Sequence, residues 1–505
     1  MIEYVLAIDQ GTTGTTVMLF DREGRAVDRR YRELEQHFPS PGWVEHDAEE
    51  IWAHVASLIA EIARDWSLSP LNLKAIGITN QRETVVIWDR RTGRPLHRAI
   101  VWQCRRTAER CRTLKEQGLE GEIHQKTGLY LDPYFSGSKL EWLLQHADGA
   151  REAQARGDLA CGTIDSWLIW NLTGGDVHAT DVTNASRTLL FDINTLRWDD
   201  GLLDLFGVSK SALPEVRPSV GRFGATRGVD GFPDGIPISG CAGDQQAALF
   251  GQACFEPGMV KNTYGTGAFL LMNAGETPPA THGTGLLSTV AWAIESLDRP
   301  VYAVEGSVFV AGAVVQWLRD GLGIIGSAAE TQALAASVED SGGVFFVPAF
   351  VGLGAPEWDP FARGAILGIT RGTTKAHLVR AALESIAFQS RDVIEAMRQA
   401  TGRDLEIVRV DGGASANDLL LQFQADILGT SVERPQMVET TALGAAFMAG
   451  IAEGVWSGTD EVAKAWRSER IFAPAMTQDA RDALIGSWRR AVERSKAWAD
   501  RENVV

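Results

Sequence analysis

Three glycine-centred turns and one carboxylate at a helix start carry most of the chemistry legible in this sequence. Asp9-Gln-Gly-Thr-Thr13 lies between the short apolar runs Val5–Ile8 and Val17–Phe20. Glycine lets backbone N–H groups approach a phosphate closely, threonine hydroxyls add donors, and a carboxylate such as Asp9 can hold hydrated Mg²⁺. The turn joins strand to strand and lacks the lysine of GxxxxGK[ST], so it is not a P-loop. Thr263-Tyr-Gly-Thr-Gly267 repeats the pattern ahead of Phe269–Met272. Asp411-Gly-Gly-Ala-Ser-Ala-Asn417 is a third turn, where a strand meets a helix and the free N–H groups attract anions. Each has a plainer reading, as a hairpin turn for the first two and as a helix cap formed by Asn417 for the third.

Asp244 follows an apolar run ending in glycine and opens the helical Gln245–Phe250. It serves either as a helix cap or as a carboxylate that orients a hydroxyl and takes its proton during phosphoryl transfer. Asn80-Gln-Arg-Glu-Thr84 reads most simply as a solvated hairpin, yet a polyol needs donors and acceptors side by side, and Arg82 with Glu83 supplies both. Tyr134 adds a hydroxyl and Trp102 an apolar face, although both are equally at home in a core.

The elements that must position these residues follow from periodicity. Residues 5–34 read as three strands joined by tight turns, which predicts an antiparallel start to a sheet. A helix is expected after Asp47, with Ile51, Val55, Leu58, Ile59 and Ile62 on one face, followed by strands at Ala75–Thr79 and Val85–Trp88. The pattern restarts after residue 250, so the chain reads as a degenerate internal repeat dividing into 1–252 and 253–505, two α/β lobes with a cleft between them. At 505 residues, more than one core is required. An apolar fraction of 45% and a charged fraction of 22% are those of a globular chain. A net charge of -17 disfavours nucleic acid and anionic lipid as partners. No signal-peptide or membrane-spanning pattern is present, and five scattered cysteines fit a reducing, cytoplasmic setting.

The ordered blocks Ala7–Thr13, Pro41–Asp47, Ile78–Thr84, Ala99–Gln103, Gly128–Ser136, Asp181–Arg187, Gly243–Gly251 and Asn262–Gly267 resemble the FGGY carbohydrate kinases over nearly the whole chain. The resemblance implies two ribonuclease-H-like lobes of the actin and hexokinase type, with a catalytic cleft between them. It implies ATP-dependent phosphorylation of glycerol, the blocks at 80–84 and 243–251 being those of members that act on glycerol and not on pentuloses. By the same resemblance, glycerol falls to Arg82, Glu83, Trp102, Tyr134, Asp244, Gln245 and Phe269, with Asp244 as general base. ATP falls to Thr12, Thr13, Gly14, Thr266, Gly312, Gln316, Gly413 and Asn417, and Mg²⁺ to the region of Asp9. A homodimer or homotetramer is the implied assembly. A related kinase for dihydroxyacetone, erythritol or a pentulose, or a non-catalytic ATP switch, is the competing expectation.

Two departures from the family pattern stand out. Many relatives follow the first turn with two serines and an arginine, where this chain has Gly14, Thr15 and Thr16. Neither a Gly-Gly-Lys-Gly-Gly loop for fructose 1,6-bisphosphate nor a phosphorylated regulatory histidine is present between Arg217 and Pro237, although Arg222 and Arg227 remain as anion-attracting candidates. Restoring the missing cation in Thr16→Arg is expected to lower KM for ATP in steady-state assays; an unchanged KM would remove Thr16 from nucleotide affinity.

Overall fold

The computed structural model describes residues 3–499. Its frame is two mixed sheets. The first runs in the order Val220–Ala225, Pro237–Gly243, Leu73–Asn80, Tyr4–Gln10, Gly14–Asp21, Ala26–Glu33. Tyr4–Gln10 pairs antiparallel with Gly14–Asp21 and parallel with Leu73–Asn80. The second sheet runs Leu287–Trp292, Val301–Val308, Ala268–Gly275, Met259–Tyr264, Ile407–Asp411, Val432–Pro435, Ser468–Phe472. Here Met259–Tyr264 pairs antiparallel with Ala268–Gly275 and parallel with Ile407–Asp411. The same local arrangement thus recurs, as the repeated glycine turns predict.

Strand alternation explains how the first sheet is buried on both sides. Leu6, Ile8, Val17, Leu19, Ile76 and Ile78 pack in one core with Ile51, Val55, Ile59 and Ile62 of the helix Ala48–Asp65. That helix begins where the sequence places it, with the Asp47 carboxylate accepting from the backbone N–H groups of Glu49 and Glu50. Val5, Ala7, Met18, Phe20 and Ala75 face the opposite side, against Ala442–Ala449 of the helix Thr440–Ala452.

This second covering helix comes from the other half of the chain, which the sequence division at residue 252 does not convey. It seats directly on glycines. A Cβ at Gly77 would lie 2.1 Å from the Ala445 carbonyl oxygen, and one at Gly240 would lie 2.5 Å from the Ala449 nitrogen. It also crosses the helix Asp244–Gly251, where a Cβ at Gly444 would lie 1.8 Å from the Ala247 oxygen and one at Gly251 2.0 Å from the Thr440 oxygen. Backbone-to-backbone approach of this kind ties the helix that begins at Asp244 to the first sheet. Gly444→Ala is therefore expected to cost about 1–3 kcal/mol by overpacking, read as a lower urea midpoint, whereas Gly121→Ala, with open space around the new methyl, leaves the midpoint unchanged or raised.

Candidate functional site

The segment Asn80–Thr84 is not a solvated hairpin. Leu73–Asn80 belongs to the first sheet, whereas Val85–Asp89 belongs to a separate four-stranded sheet, and Asn80 and the four connecting residues are all buried. Their polar groups are satisfied internally. Asn80 and Asn184 exchange amide hydrogen bonds of 3.0 and 3.1 Å, and Gln81 meets His46 at 3.1 Å. Glu83 sits at φ 61° in a turn so tight that the Thr84 N–H donates to the Arg82 carbonyl at 2.7 Å. Left-handed backbone at a bulky residue costs on the order of 1–2 kcal/mol, so the surroundings must enforce it.

What enforces it is a closed set of charges. Arg82 donates to both oxygens of Glu305 at 2.5 and 3.1 Å, Arg187 donates to Glu83 at 2.7 Å and to Glu305 at 3.1 Å, and these four side chains are 0–2% exposed. Two guanidinium groups face two carboxylates. Burial by itself raises the Glu305 pKa, but Arg187 and Arg82 outweigh it and hold the group at about 2. Glu83 is less favoured, its pKa raised by burial against the opposing pull of Arg82 and Arg187. Arg187 and Glu305 were not singled out as functional in the sequence. Arg187 was visible only inside a recurring block, and Glu305 lies in an ordinary apolar strand, 223 residues from Arg82.

From this base Arg82 points its Nε at Asp244, 3.2 Å from Oδ1. Asp244 is not a helix cap; Gly243 occupies that position and Asp244 is the first helical residue. Its side chain stays 30% exposed, yet desolvation raises its pKa, with Arg82 and Lys261 pulling the other way. Gln245 follows, its side-chain oxygen accepting from the Lys261 ammonium, which also donates to Thr263 Oγ1 at 3.0 Å and to the Phe269 carbonyl at 3.3 Å. Tyr134 and Trp102, both half-buried, meet edge to face with centroids 5.5 Å apart. The Tyr134 backbone carbonyl receives a 2.5 Å hydrogen bond from the buried Lys139. Arg187, paired with Glu83, lies 5.9 Å over the Tyr134 ring, so that a run of contacts passing through Arg187 and Lys261 links the seven residues expected at the alcohol site.

The turns flank this cluster. The Trp102 indole N–H donates to Thr12 Oγ1 at 2.9 Å, joining the first turn to the aromatic wall. Thr13 is exposed at the tip, while Gly14 is buried, its absent Cβ leaving room for the Tyr31 ring and the Arg32 carbonyl. Gly14 thus answers to strand packing. Gly265 and Thr266 wrap the start of the helix Gly312–Asp320 through hydrogen bonds from Gly312 and Ala313, and Gln316 lies exposed one turn further on. Gly413 is exposed, whereas Asn417 uses its side-chain oxygen to cap the helix Asp418–Leu428 and its amide to reach Thr331 at 3.2 Å. The capping role is therefore realised.

Asp9 shows what a cation would do here. Its carboxyl is pushed up to about 7 by burial and by the charges of Asp244 and Glu439, with Arg29 only partly offsetting them. Such an excess of negative charge suits Mg²⁺. Arg222 and Arg227 do not form an anion site: Arg222 makes a two-pronged pair with Glu453 at 3.1 and 3.0 Å, and Arg227 pairs with Asp176 at 2.5 Å. All five cysteines are buried and unpaired with one another. Cys241 lies beside Asp165 and Asp181, but those carboxylates already accept from Thr163, Thr180, Thr183, Asn184 and Ser219, as a structural cluster would.

With that geometry in place, comparison with known proteins is specific. Residues 4–251 match the N-terminal domain of the FGGY family of carbohydrate kinases, and residues 260–453 match its C-terminal domain. A glycerol kinase of Carboxydothermus hydrogenoformans is 55% identical over 98% of this chain and 99% of its own length. Glycerol kinase 2 of Thermotoga maritima is 54% identical over 99% of this chain and 100% of its own length. Among solved structures, Plasmodium falciparum glycerol kinase with ADP superposes with a TM-score of 0.94 at 40% identity, covering 98% of both chains.

Removing one member of a buried ion network leaves its partners uncompensated. Glu305→Gln is expected to cost about 3–5 kcal/mol at neutral pH in urea unfolding. Because the folded pKa of Glu305 is depressed, its contribution is present above pH 4.5 and fades as pH falls toward 2, so the gap between the two proteins should narrow over that interval. A gap independent of pH would contradict the assignment.

Proposed function

Because the chain belongs to the FGGY family of carbohydrate kinases, we propose that it transfers the γ-phosphoryl group of ATP to glycerol, yielding sn-glycerol 3-phosphate and ADP. The observation that supports the reaction class is Asp244, a carboxylate open to the cleft yet held 3.2 Å from a buried guanidinium. The choice of glycerol among small alcohols is supported by relatives that carry this name over almost their full length.

Arg82, Glu83 and Gln245 hold the alcohol by its hydroxyls, Tyr134 adds a phenol, and Trp102 and Phe269 wall its carbon chain. Asp244 accepts a hydrogen bond from the hydroxyl that reacts. An alcohol is too weak an acid to be deprotonated beforehand, so proton transfer accompanies bond formation. The hydroxyl oxygen bonds to the γ-phosphorus, the bond from phosphorus to the β,γ-bridging oxygen breaks with its electrons leaving on ADP, and the proton passes to Asp244. Burial raises the proton affinity of Asp244 toward this task, while Arg82 and Lys261 keep it from becoming a permanent acid. Thr12, Thr13 and Gly14 on one side, with Thr266, Gly312, Gln316, Gly413 and Asn417 on the other, flank ATP. Asp9 would hold Mg²⁺, which when bound offsets phosphate charge. Positioning and water exclusion between the lobes 1–252 and 253–505 carry the rest of the catalysis. A cytoplasmic setting and a homodimer or homotetramer belong to the proposal, as the family resemblance implies.

In Asp244→Asn, kcat is expected to fall by roughly 10²–10⁴ while ATP binding by calorimetry is retained. Unchanged turnover would remove Asp244 from the proton-transfer step.

A further inference from the structure

Lys261 is a buried ammonium whose charge helps to hold down the Asp244 pKa, and its hydrogen-bond partners define a second role. It lies on the strand Met259–Tyr264 of the second half and is 0% exposed. An ammonium has three donors and no acceptor. Lys261 meets three acceptors: the Thr263 hydroxyl at 3.0 Å, the Phe269 carbonyl at 3.3 Å, and the side-chain oxygen of Gln245 on the other half. It is thereby saturated and has no donor left for a ligand.

We propose that Lys261 is a positioning residue that fixes the polarity of the Gln245 amide, so that its NH₂ group, and not its oxygen, faces a non-reacting hydroxyl of the alcohol. The reasoning does not depend on which amide atom is drawn where. A group that only donates accepts no hydrogen bond from the amide, so any glutamine in its reach must turn its oxygen inward and its NH₂ outward. A free glutamine amide flips between two nearly equivalent orientations and offers donor or acceptor alike; a pinned one offers only donors. Burial lowers the Lys261 pKa to about 8, with Asp411 and Asp244 opposing, which leaves the ammonium mostly charged at neutral pH. The proposal rests on the reading of Gln245 as an alcohol residue, and it adds the direction of the hydrogen bond and the residue that sets it.

The test compares kcat/KM for glycerol, propane-1,2-diol and propane-1,3-diol in the wild type, Gln245→Leu, Gln245→Glu and Lys261→Met, with thermal melting as the check on folding. All three variants are expected to lose on the order of tenfold toward glycerol, the worth of one hydrogen bond. In the two Gln245 variants the diol lacking the contacted hydroxyl should lose less than about twofold, because it never made the bond; in Lys261→Met it should lose less than glycerol does, any change at Asp244 being common to all three alcohols. Gln245→Glu keeps an oxygen for Lys261 but has no NH₂, so it should behave as Gln245→Leu does. If Gln245→Glu retains wild-type activity while Gln245→Leu does not, the direction of the bond is wrong and the proposal is overturned, whether or not Lys261→Met folds. If Lys261→Met slows glycerol and both diols by one common factor, Lys261 acts structurally and the proposal fails. If Gln245→Leu leaves glycerol unaffected, it is the placement of Gln245 in the alcohol site that fails.

Discussion

Two arginines and two glutamates almost wholly shielded from water constrain the centre of this molecule. Arg82, Arg187, Glu83 and Glu305 cannot be buried singly, since an unpaired ion in such surroundings costs several kcal/mol, so each must find its partner before the site exists. The pairing crosses the chain. Glu305 arrives on a strand of the second sheet, Arg82 and Glu83 on the turn that leaves the first, and Arg187 after a short helix between them. The left-handed Glu83, the orientation of Arg82 toward Asp244 and the contact between halves are thus consequences of one electrostatic requirement. A hydrophobic replacement of Arg82 would not aim a guanidinium at Asp244.

Around that centre the fold supplies rigid supports. Glycines at 77, 240, 251 and 444 let the helix Thr440–Ala452 press its backbone against both the first sheet and the helix carrying Asp244. Asp244 is therefore mounted on an element held from both halves. The two threonine-bearing turns lie at the ends of matching strand pairs in the two sheets.

Much of this was legible in the sequence because it is local. Short apolar runs bounded by Gly and Asp mark the opening strands, Asp47 marks its helix, and the repeated glycine and threonine turns mark the duplicated sheet. The site residues are visible as types, but physical reading alone favours a plain hairpin for the first two glycine turns and for Asn80–Thr84 and leaves the Asp411–Asn417 turn even between cap and anion site; only the family resemblance assigns them. What escaped was non-local. Nothing near Glu305 or Lys261 in sequence announces that a strand residue will end against Arg82 or Gln245. The burial of Asn80–Thr84 was misjudged because its two flanking strands enter different sheets. Arg222 and Arg227 looked like free cations until Glu453 and Asp176 came into place beside them.

The relatives named glycerol kinase over nearly their full length and the cluster of Arg82, Glu83, Asp244 and Gln245 together support a site for a three-carbon polyol. The most direct measurement is kcat/KM for ATP-dependent phosphorylation of glycerol, dihydroxyacetone, erythritol and xylulose by the purified enzyme, followed as ADP release. The account predicts a clear preference for glycerol, with product phosphorylated at a terminal carbon. A higher kcat/KM for a four- or five-carbon substrate, or ADP release with no acceptor dependence, would contradict it.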